Sequence, residues 1–481
     1  MKANNFLNDL EIFNYVKDLE KRGLNLFLEN SKLKFNIDKN LYDESLIEDI
    51  RLRKDAIVDY LRTEEENTID LSPLQLAYMA GQYGVTPLSS VNAHYYIEFE
   101  KDNIHLEKLE NKFNLIISRS EALRLIVLKN GKGLILDSVP DYKIESYIIG
   151  KEPDVQEMRE NLSRKKYSIE TWPMYTLVVG KSEDGSDVLH VSFDCSILDA
   201  WSAGIMIYTL FDLYSGEKED FPEISYKEYM LNLSEYKNSA EARKNLEAAD
   251  CYWERQSKSL KSSPKLKFRQ KVKDISSIEF TRLDYTFPVN KTKQLYAYAM
   301  KNHVTLSSVV ITIYMKALSR LSNEDELTVN ATILGKMPVM PDIEKLIGEF
   351  TNIGLISYRE NSSSIIKSIK ETQSQIFKIL EYRLYDGINI VNKMKDKKEY
   401  ELGFPVVVTC MIGEEYSYIR SGFKEVYSLS QTPQVYLDHH IRIIDEQLVI
   451  TFDYIKELFD KNYIEELKQN YIKIVDSICC N

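Results

Sequence analysis

The chain has 481 residues, 44% of them hydrophobic, and a formal net charge of −12. This length exceeds the usual size of one core, so two or three domains are expected, and the acidic balance with no stripe of Lys and Arg excludes a nucleic-acid partner. Cys195, Cys251, Cys410 and the pair Cys479-Cys480 match no zinc or disulfide spacing, and no apolar run approaches a membrane span, so a reduced cytoplasmic protein with no metal and no membrane partner is expected.

Taken in chain order, Phe6, Leu10, Phe13, Val16 and Leu19 recur at helical spacing and Gly23 supplies a stop. Leu24, Leu26 and Leu28 alternate, residues 29–31 turn, and Leu33, Phe35 and Ile37 alternate again, which predicts a hairpin. Two short helices follow at 43–50 and 56–61. Residues 1–62 thus read as a separate αββαα unit, and the polar run from Thr63 makes 63–70 a linker.

From residue 71 onwards helical faces at 106–120, 202–214, 240–256, 291–298, 306–321 and 463–477 are separated by β-rich runs such as Val406-Val407-Val408-Thr409. The consequence is an α/β fold. The Lys- and Ser-rich stretch 256–277 divides this region near its middle, giving lobes at 71–265 and 266–481.

The densest motif is FDCSILDAWS at 193–202, a DxxxxDxxS pattern of Asp194, Asp199 and Ser202 behind an apolar strand. It resembles the signature of heterocyclization domains of nonribosomal peptide synthetases, which replaces the HHxxxDG motif of ordinary condensation domains. LSPLQLAYMAGQYG at 71–84, IISRSEALRLIVLKNGKGLIL at 116–136, GEFTNIGL at 348–355, FPVVVTCMIG at 404–413 and SQTPQVYLD at 430–438 resemble the other motifs of that family in the right order. The resemblance implies two chloramphenicol-acetyltransferase-like lobes forming a V around a tunnel. It also implies condensation of an upstream acyl thioester with a carrier-bound Cys, Ser or Thr, then cyclodehydration to a thiazoline or oxazoline. The alternatives are condensation without ring closure and a non-catalytic scaffold that docks carriers.

The N-terminal unit, with GLNLFLENSKLKF at its centre, resembles the TubC-type docking domains of some synthetase subunits. That likeness implies a hairpin, with Leu26, Phe27, Leu33 and Phe35, whose edge accepts the C-terminal docking segment of a preceding subunit as an added strand. The other implied partners are an upstream and a downstream carrier protein. Their phosphopantetheine arms bring the substrates, and no cofactor is bound directly.

Ring closure needs a proton acceptor and donor beside the amide carbon. Asp438, ending QTPQVYLD, and Thr409, ending PVVVT, match the family positions credited with this work, and burial is expected to raise the Asp438 pKa. Asp194, Asn330, Thr332 and Gln434 are secondary candidates. Asp199 and Ser202 are expected to be structural, with Asp199 paired to an arginine. His190, His439 and His440 are out of register for a condensation histidine and read as structural, and Cys195 reads as an inert packed thiol. The chain departs from the family at Gln82, Ser120, Lys336 and Phe452, where Arg, His, Arg and Trp are usual.

Overall fold

Backbone pairing sorts the strands into four sheets, and not in chain order. The computed structural model describes residues 12, 15–20, 22–29, 32–37, 44–82, 91–128, 130–275, 278–360, 364–394, 403–413 and 421–480. Phe6, Leu10, Phe13, Asn30, Ser31, Asp43, Tyr83, Gly84, Lys129 and Ser277, used in the sequence reading, lie outside them.

Near the N-terminus β1 (Leu24–Glu29) and β2 (Lys32–Ile37) pair antiparallel, with Leu26 opposite Phe35 and Leu28 opposite Leu33. Leu24 and Leu26 enter a small core with Val16, Leu19, Ile47, Ile50 and Ile57, and Leu33 and Ile37 pack at its margin. Phe27 and Phe35 remain exposed. The helices Glu44–Leu52 and Lys54–Glu66 complete this unit. The expected linker at 63–70 is not a loop. The second helix runs on to Glu66 because Thr63-Glu64-Glu65-Glu66 carries no helix breaker, and β3 (Thr68–Asp70) pairs with a later strand, burying Ile69.

The remaining strands are β4 (His94–Asp102), β5 (Leu125–Val127), β6 (Lys132–Ile135), β7 (Glu145–Ile148), β8 (Tyr175–Lys181), β9 (Ser186–Asp194), β10 (Phe280–Thr286), β11 (Glu326–Leu334), β12 (Thr351–Arg359), β13 (Val406–Cys410), β14 (Lys424–Gln431), β15 (Leu437–Ile444) and β16 (Gln447–Ile455). They form a five-stranded sheet in the order β14-β4-β9-β8-β7, a six-stranded sheet in the order β10-β16-β15-β13-β11-β12, and a small sheet β3-β6-β5. The helices Leu106–Arg119 and Ala200–Ser215 share a core with the first sheet, and Val289–Lys301, Leu306–Ser322 and Lys461–Cys479 share one with the second. Two α/β lobes result.

The lobes interlock. Strand β14 falls in the second half of the chain yet pairs antiparallel with β4, from Lys424 opposite Glu100 to Gln431 opposite His94. Ile343, Leu346, Ile347 and Phe350 likewise leave the second half to pack in the first lobe's core. Among the described residues no single helix is long and apolar enough to cross a membrane.

His190 is held inside the first lobe, at a buried polar network. Glu98 on β4 accepts two bonds from Arg159, both 2.6 Å, and one of 2.5 Å from the Tyr96 hydroxyl. Tyr96 and Tyr147 contact His190 Nδ1 and Nε2 at 2.6 and 2.9 Å. Burial pushes the Glu98 carboxyl up, but the bonds from Arg159, His190 and Tyr96 outweigh it and hold its pKa at about 2, below the ordinary 4.5. The stability this carboxylate contributes is complete above that ordinary value and is lost as the pH falls towards 2. Replacing Arg159 by Ala leaves Glu98 buried without its cation and is expected to cost about 3–5 kcal/mol. Urea unfolding measures this, and a loss below about 1 kcal/mol would show that the tyrosines and His190 satisfy Glu98 without it.

Candidate active site at the lobe junction

Strict alternation along β15 decides what LDHHIRII can do. Leu437, His439, Ile441 and Ile443 point into the second lobe's core, so Asp438, His440 and Arg442 share the opposite face. His439 is stacked against Phe452 at 4.4 Å and lies 4.3 Å from Tyr314, and burial drives its pKa down to about 3. It is a core residue. His440, its neighbour in sequence, faces the other way.

Register extends this polar face across the sheet. One row reads Asn330, Val407, Asp438, Asp453 and Arg282, and the next reads Thr332, Thr409, His440, Thr451 and Asp284. Thr409 Oγ1 lies 3.3 Å from Asp438 Oδ1 and 3.1 Å from Thr332 Oγ1. The expected pair Asp438 and Thr409 is therefore brought together, with Thr332 behind it. Among the described residues Asn330 Oδ1 and Gln434 Nε2 are buried without a hydrogen-bond partner, and Gln434 sits at φ 66°, a strained left-handed conformation for a side-chain-bearing residue.

His440, read from the sequence as structural, lies on the same face as Asp438. Its Nε2 lies 3.1 Å from Asp438 Oδ2 and 3.6 Å from Asp453 Oδ2, although neither carboxylate lies on its hydrogen-bond line. The signal that could have found it is the alternation itself, since two adjacent histidines on one strand must face opposite sides. His440 also overturns the expected rise in the Asp438 pKa. Burial does push that carboxyl up, but the charge of the adjacent His440 and the bond from the Thr409 hydroxyl outweigh it and hold it below the ordinary carboxylate value.

Asp453 anchors this face. Arg282 grips it with bonds of 2.6 and 2.5 Å, and the Ser430 N–H donates to it at 2.9 Å. Arg282 also contacts the Ser428 hydroxyl, and Arg442 forks onto Glu425 at 2.7 and 2.9 Å. Ser428, Ser430 and Glu425 all lie on β14, so the polar face of one lobe is bonded to a strand of the other.

The DxxxxDxxS motif approaches from the first lobe and divides by role. Asp199 caps the helix Ala200–Ser215, accepting from the Ser202 N–H at 2.6 Å, and its second oxygen accepts from the Phe350 N–H at 2.9 Å. Ser202 Oγ accepts from the Gly348 N–H at 3.1 Å. Asp199 is thus held by the backbone N–H groups of Ser202 and of Phe350 in GEFTNIGL, and not by the expected arginine. A carboxylate before a helix satisfies orphan N–H groups more cheaply than it pairs with a buried cation.

Asp194 does not join Asp438. It accepts from Gln82 Nε2 at 3.1 Å and from the Ser196 N–H at 2.9 Å, and burial raises its pKa to about 6. Gln75 Nε2 donates to Ser196 O at 2.7 Å, and a Cβ on Gly81 would come within 2.7 Å of the Pro433 ring. The first motif therefore braces both the 193–202 turn and the QTPQVYLD loop. Glu349, beside Ser72 and Thr351, is pushed up to about 8 by burial and then by Asp199. Burial, with Asp194, Glu349, Asp199 and Asp438 around it, holds the Cys195 thiol well above its usual value, so it is no nucleophile.

The departures in the second motif lie elsewhere. Arg119 is exposed and pairs with Glu219 at 3.7 Å. Lys336 is buried, donating to Leu346 O at 2.6 Å and facing the Phe350 ring at 4.9 Å, so it fastens the same crossing segment. Among the described residues no group of His, Cys, Asp or Glu is placed to hold a metal.

The condensation domain family model matches residues 65–481. The chain belongs to that family. It is 26% identical over 431 residues to bacitracin synthase 1 of Bacillus licheniformis, 22% over 430 to pyochelin synthetase PchE of Pseudomonas aeruginosa, and 22% over 403 to phenyloxazoline synthase MbtB of a Mycobacterium. The matches take in 86, 86 and 82% of this chain but only 8, 29 and 34% of those proteins. Its fold is shared with the EpoB cyclization-docking bidomain from Sorangium cellulosum, at a TM-score of 0.77 and 23% identity over 99% of this chain and 98% of that one. The synthetase FmoA3 also matches, at 0.74 and 21% over 86% of this chain and 42% of that one.

The dual role of Asp199 sets a stability test. Asp199→Ala removes a helix cap and strands a buried N–H, with an expected cost of about 2–4 kcal/mol. Thermal unfolding reads this as a lower Tm, and Asp199→Asn, which keeps one acceptor, is expected to lose less. An alanine variant of unchanged Tm but no activity would move Asp199 into the catalytic machinery.

Proposed function

We propose that this condensation-family domain joins an acyl or peptidyl thioester on an upstream carrier to a Cys, Ser or Thr held on a downstream carrier, and then closes the side chain into a thiazoline or oxazoline. The observation that carries this reading is the contact of Asp438 with Thr409, on the polar face of a sheet whose other side is core. A carboxylate held ionised there accepts the proton of the attacking thiol or hydroxyl, and Thr409 orients it. Asn330, in the Asp438 row with its amide oxygen unpartnered among the described residues, is suited to hold the newly made amide. The name of one relative, a phenyloxazoline synthase, describes a product with such a ring. The substrates arrive on phosphopantetheine, and the chemistry asks for no metal or redox cofactor.

Condensation alone is the rival reading, and product mass separates the two because ring closure removes one further water. Asp438→Ala and Thr409→Ala are expected to lower the ratio of cyclized to open amide product, by about 10²–10⁴-fold for the carboxylate. Intact mass of the carrier-bound product reports it. Equal loss of both steps from a folded variant would reject the assignment.

Residues 1–62 are proposed to dock the C-terminal segment of a preceding subunit along the β1–β2 hairpin. The support is a hairpin whose outer strand edges are unpaired among the described residues, with exposed Phe27 and Phe35 and its own small core. A truncated chain beginning at Thr68 is expected to turn over fully with saturating carriers, but to lose rate at low concentration with a carrier bearing its native tail. Failure at saturation, or no change in the tail-dependent rate, would rule out the docking role.

A further inference from the structure

Ring closure moves two protons at different times. As the thiol or hydroxyl bonds to the amide carbon it gives up a proton, the carbonyl π pair moves onto oxygen, and that oxygen takes up one proton to become a hydroxyl. The C–O bond then breaks with its electron pair, the hydroxyl leaves with a second proton as water, and the nitrogen lone pair forms C=N as its N–H proton departs. The two protons gained by oxygen equal the two lost from S–H or O–H and from N–H. A lone carboxylate holds only one. The leaving hydroxyl needs its proton before the N–H has become acidic enough to supply it.

The polar face holds a second proton carrier at the right place. His440 Nε2 stands 3.1 Å from Asp438 Oδ2 and 3.6 Å from Asp453 Oδ2. The groups facing it are Asp438 on its own strand, Asp453 on β16, Arg282 on β10, the hydroxyls of Thr409 and Thr451, and, at the exposed end of its own row, Asp284 on β10. Arg442, further along the face, is committed to Glu425 of β14, and Cys195, Glu349 and Tyr78 approach from the first lobe, with Cys195 and Tyr78 in the field of Asp438. Two buried carboxylates here, Asp438 and Asp453, stand against one guanidinium, with Asp284 left to solvent. One negative charge is left unmatched, and a proton on the imidazole matches it.

We infer that His440 is the positioning partner of Asp438, holding the second proton between Asp438 and Asp453 and passing it through Asp438 to the departing hydroxyl. This rests on the cyclodehydration reading. The imidazolium first keeps Asp438 ionised to accept the nucleophile's proton, which Asp438 returns to the carbonyl oxygen. It then protonates Asp438 for the loss of water, and the N–H proton released as C=N forms travels back through Asp438 to restore it. No oxidant or other co-reactant is consumed. Neither carboxylate lies on the Nε2 hydrogen-bond line in the resting site, so the proton is held by charge until a substrate atom or a small ring rotation aligns it.

His440→Gln tests this, because it keeps an N–H beside Asp438 and cannot carry a proton. With the full chain and both loaded carriers, the ratio of cyclized to open product is expected to fall about tenfold or more, with His440→Ala no better. In a substrate-free arm, NMR of the Asp438 carboxyl carbon is expected to show titration below the ordinary carboxylate range in the parent protein and above it in His440→Gln, where burial is no longer opposed by the imidazole. An unchanged product ratio in folded His440→Gln, or an Asp438 titration that does not move, would overturn the proposal. A parent protein that makes only the open amide would sink the cyclodehydration reading and the proton relay with it, and a shifted titration would then mark a structural pair.

Discussion

Asp453 is a carboxylate with no exposed surface in the middle of a six-stranded sheet, and the architecture around the site follows from satisfying it. Arg282 answers it from β10 with two bonds, and the guanidinium in turn needs acceptors of its own. One comes from β14, whose Ser428 hydroxyl accepts from Arg282, and the Ser430 N–H of the same strand donates to Asp453. A buried pair of this kind adds little to stability, but removing one member is costly. Its effect here is geometric: a strand of one sheet is fixed at a defined height over the polar face of the other, and His440 is left with the remaining edge of Asp453.

Much of this was legible in the sequence wherever a local rule sufficed. The β1–β2 hairpin follows from two alternating runs about a turn, and the contact of Asp438 with Thr409 follows from motifs that the geometry brings together. The polar face follows from the pleat. What was not legible depends on non-local partners. The alternation of KEVYSLSQ shows a strand but not which sheet it joins, and β14 pairs in the first lobe while meeting the carboxylate and guanidinium of the second. The bond that Asp199 accepts from the Phe350 N–H, 151 residues away, is likewise invisible until the chain is folded. The sequence reading takes His439 and His440 together as out of register, whereas a strand places such neighbours on opposite faces and only His440 on that of Asp438.

The departures from the family pattern find individual accounts. Gln82 supplies Asp194 with a neutral donor in place of a cation, which leaves burial to set the aspartate's raised pKa. Lys336 keeps its charge but spends its donors on backbone carbonyls and a ring face, tasks a point charge can perform. The altered Arg119-Ser120 stands at the surface, and Arg124 instead ties that region together through the carbonyls of Ile117, Ser118 and Leu136. None of these changes removes a group from the Asp438 face.

Strand β14 has a further consequence for how the molecule is made. Its partner β4 is synthesised early, but the hydrogen bonds of residues 94–100 on that side must wait until residues 424–431 leave the ribosome. During that interval the first lobe presents an open sheet edge, the kind of surface that recruits wrong strands. Exchange of half-domains at the midpoint of the chain, an obvious cut for anyone recombining such enzymes, would separate β4 from the strand shaped to close it. The unit of inheritance is therefore the whole two-lobed body and not the lobe.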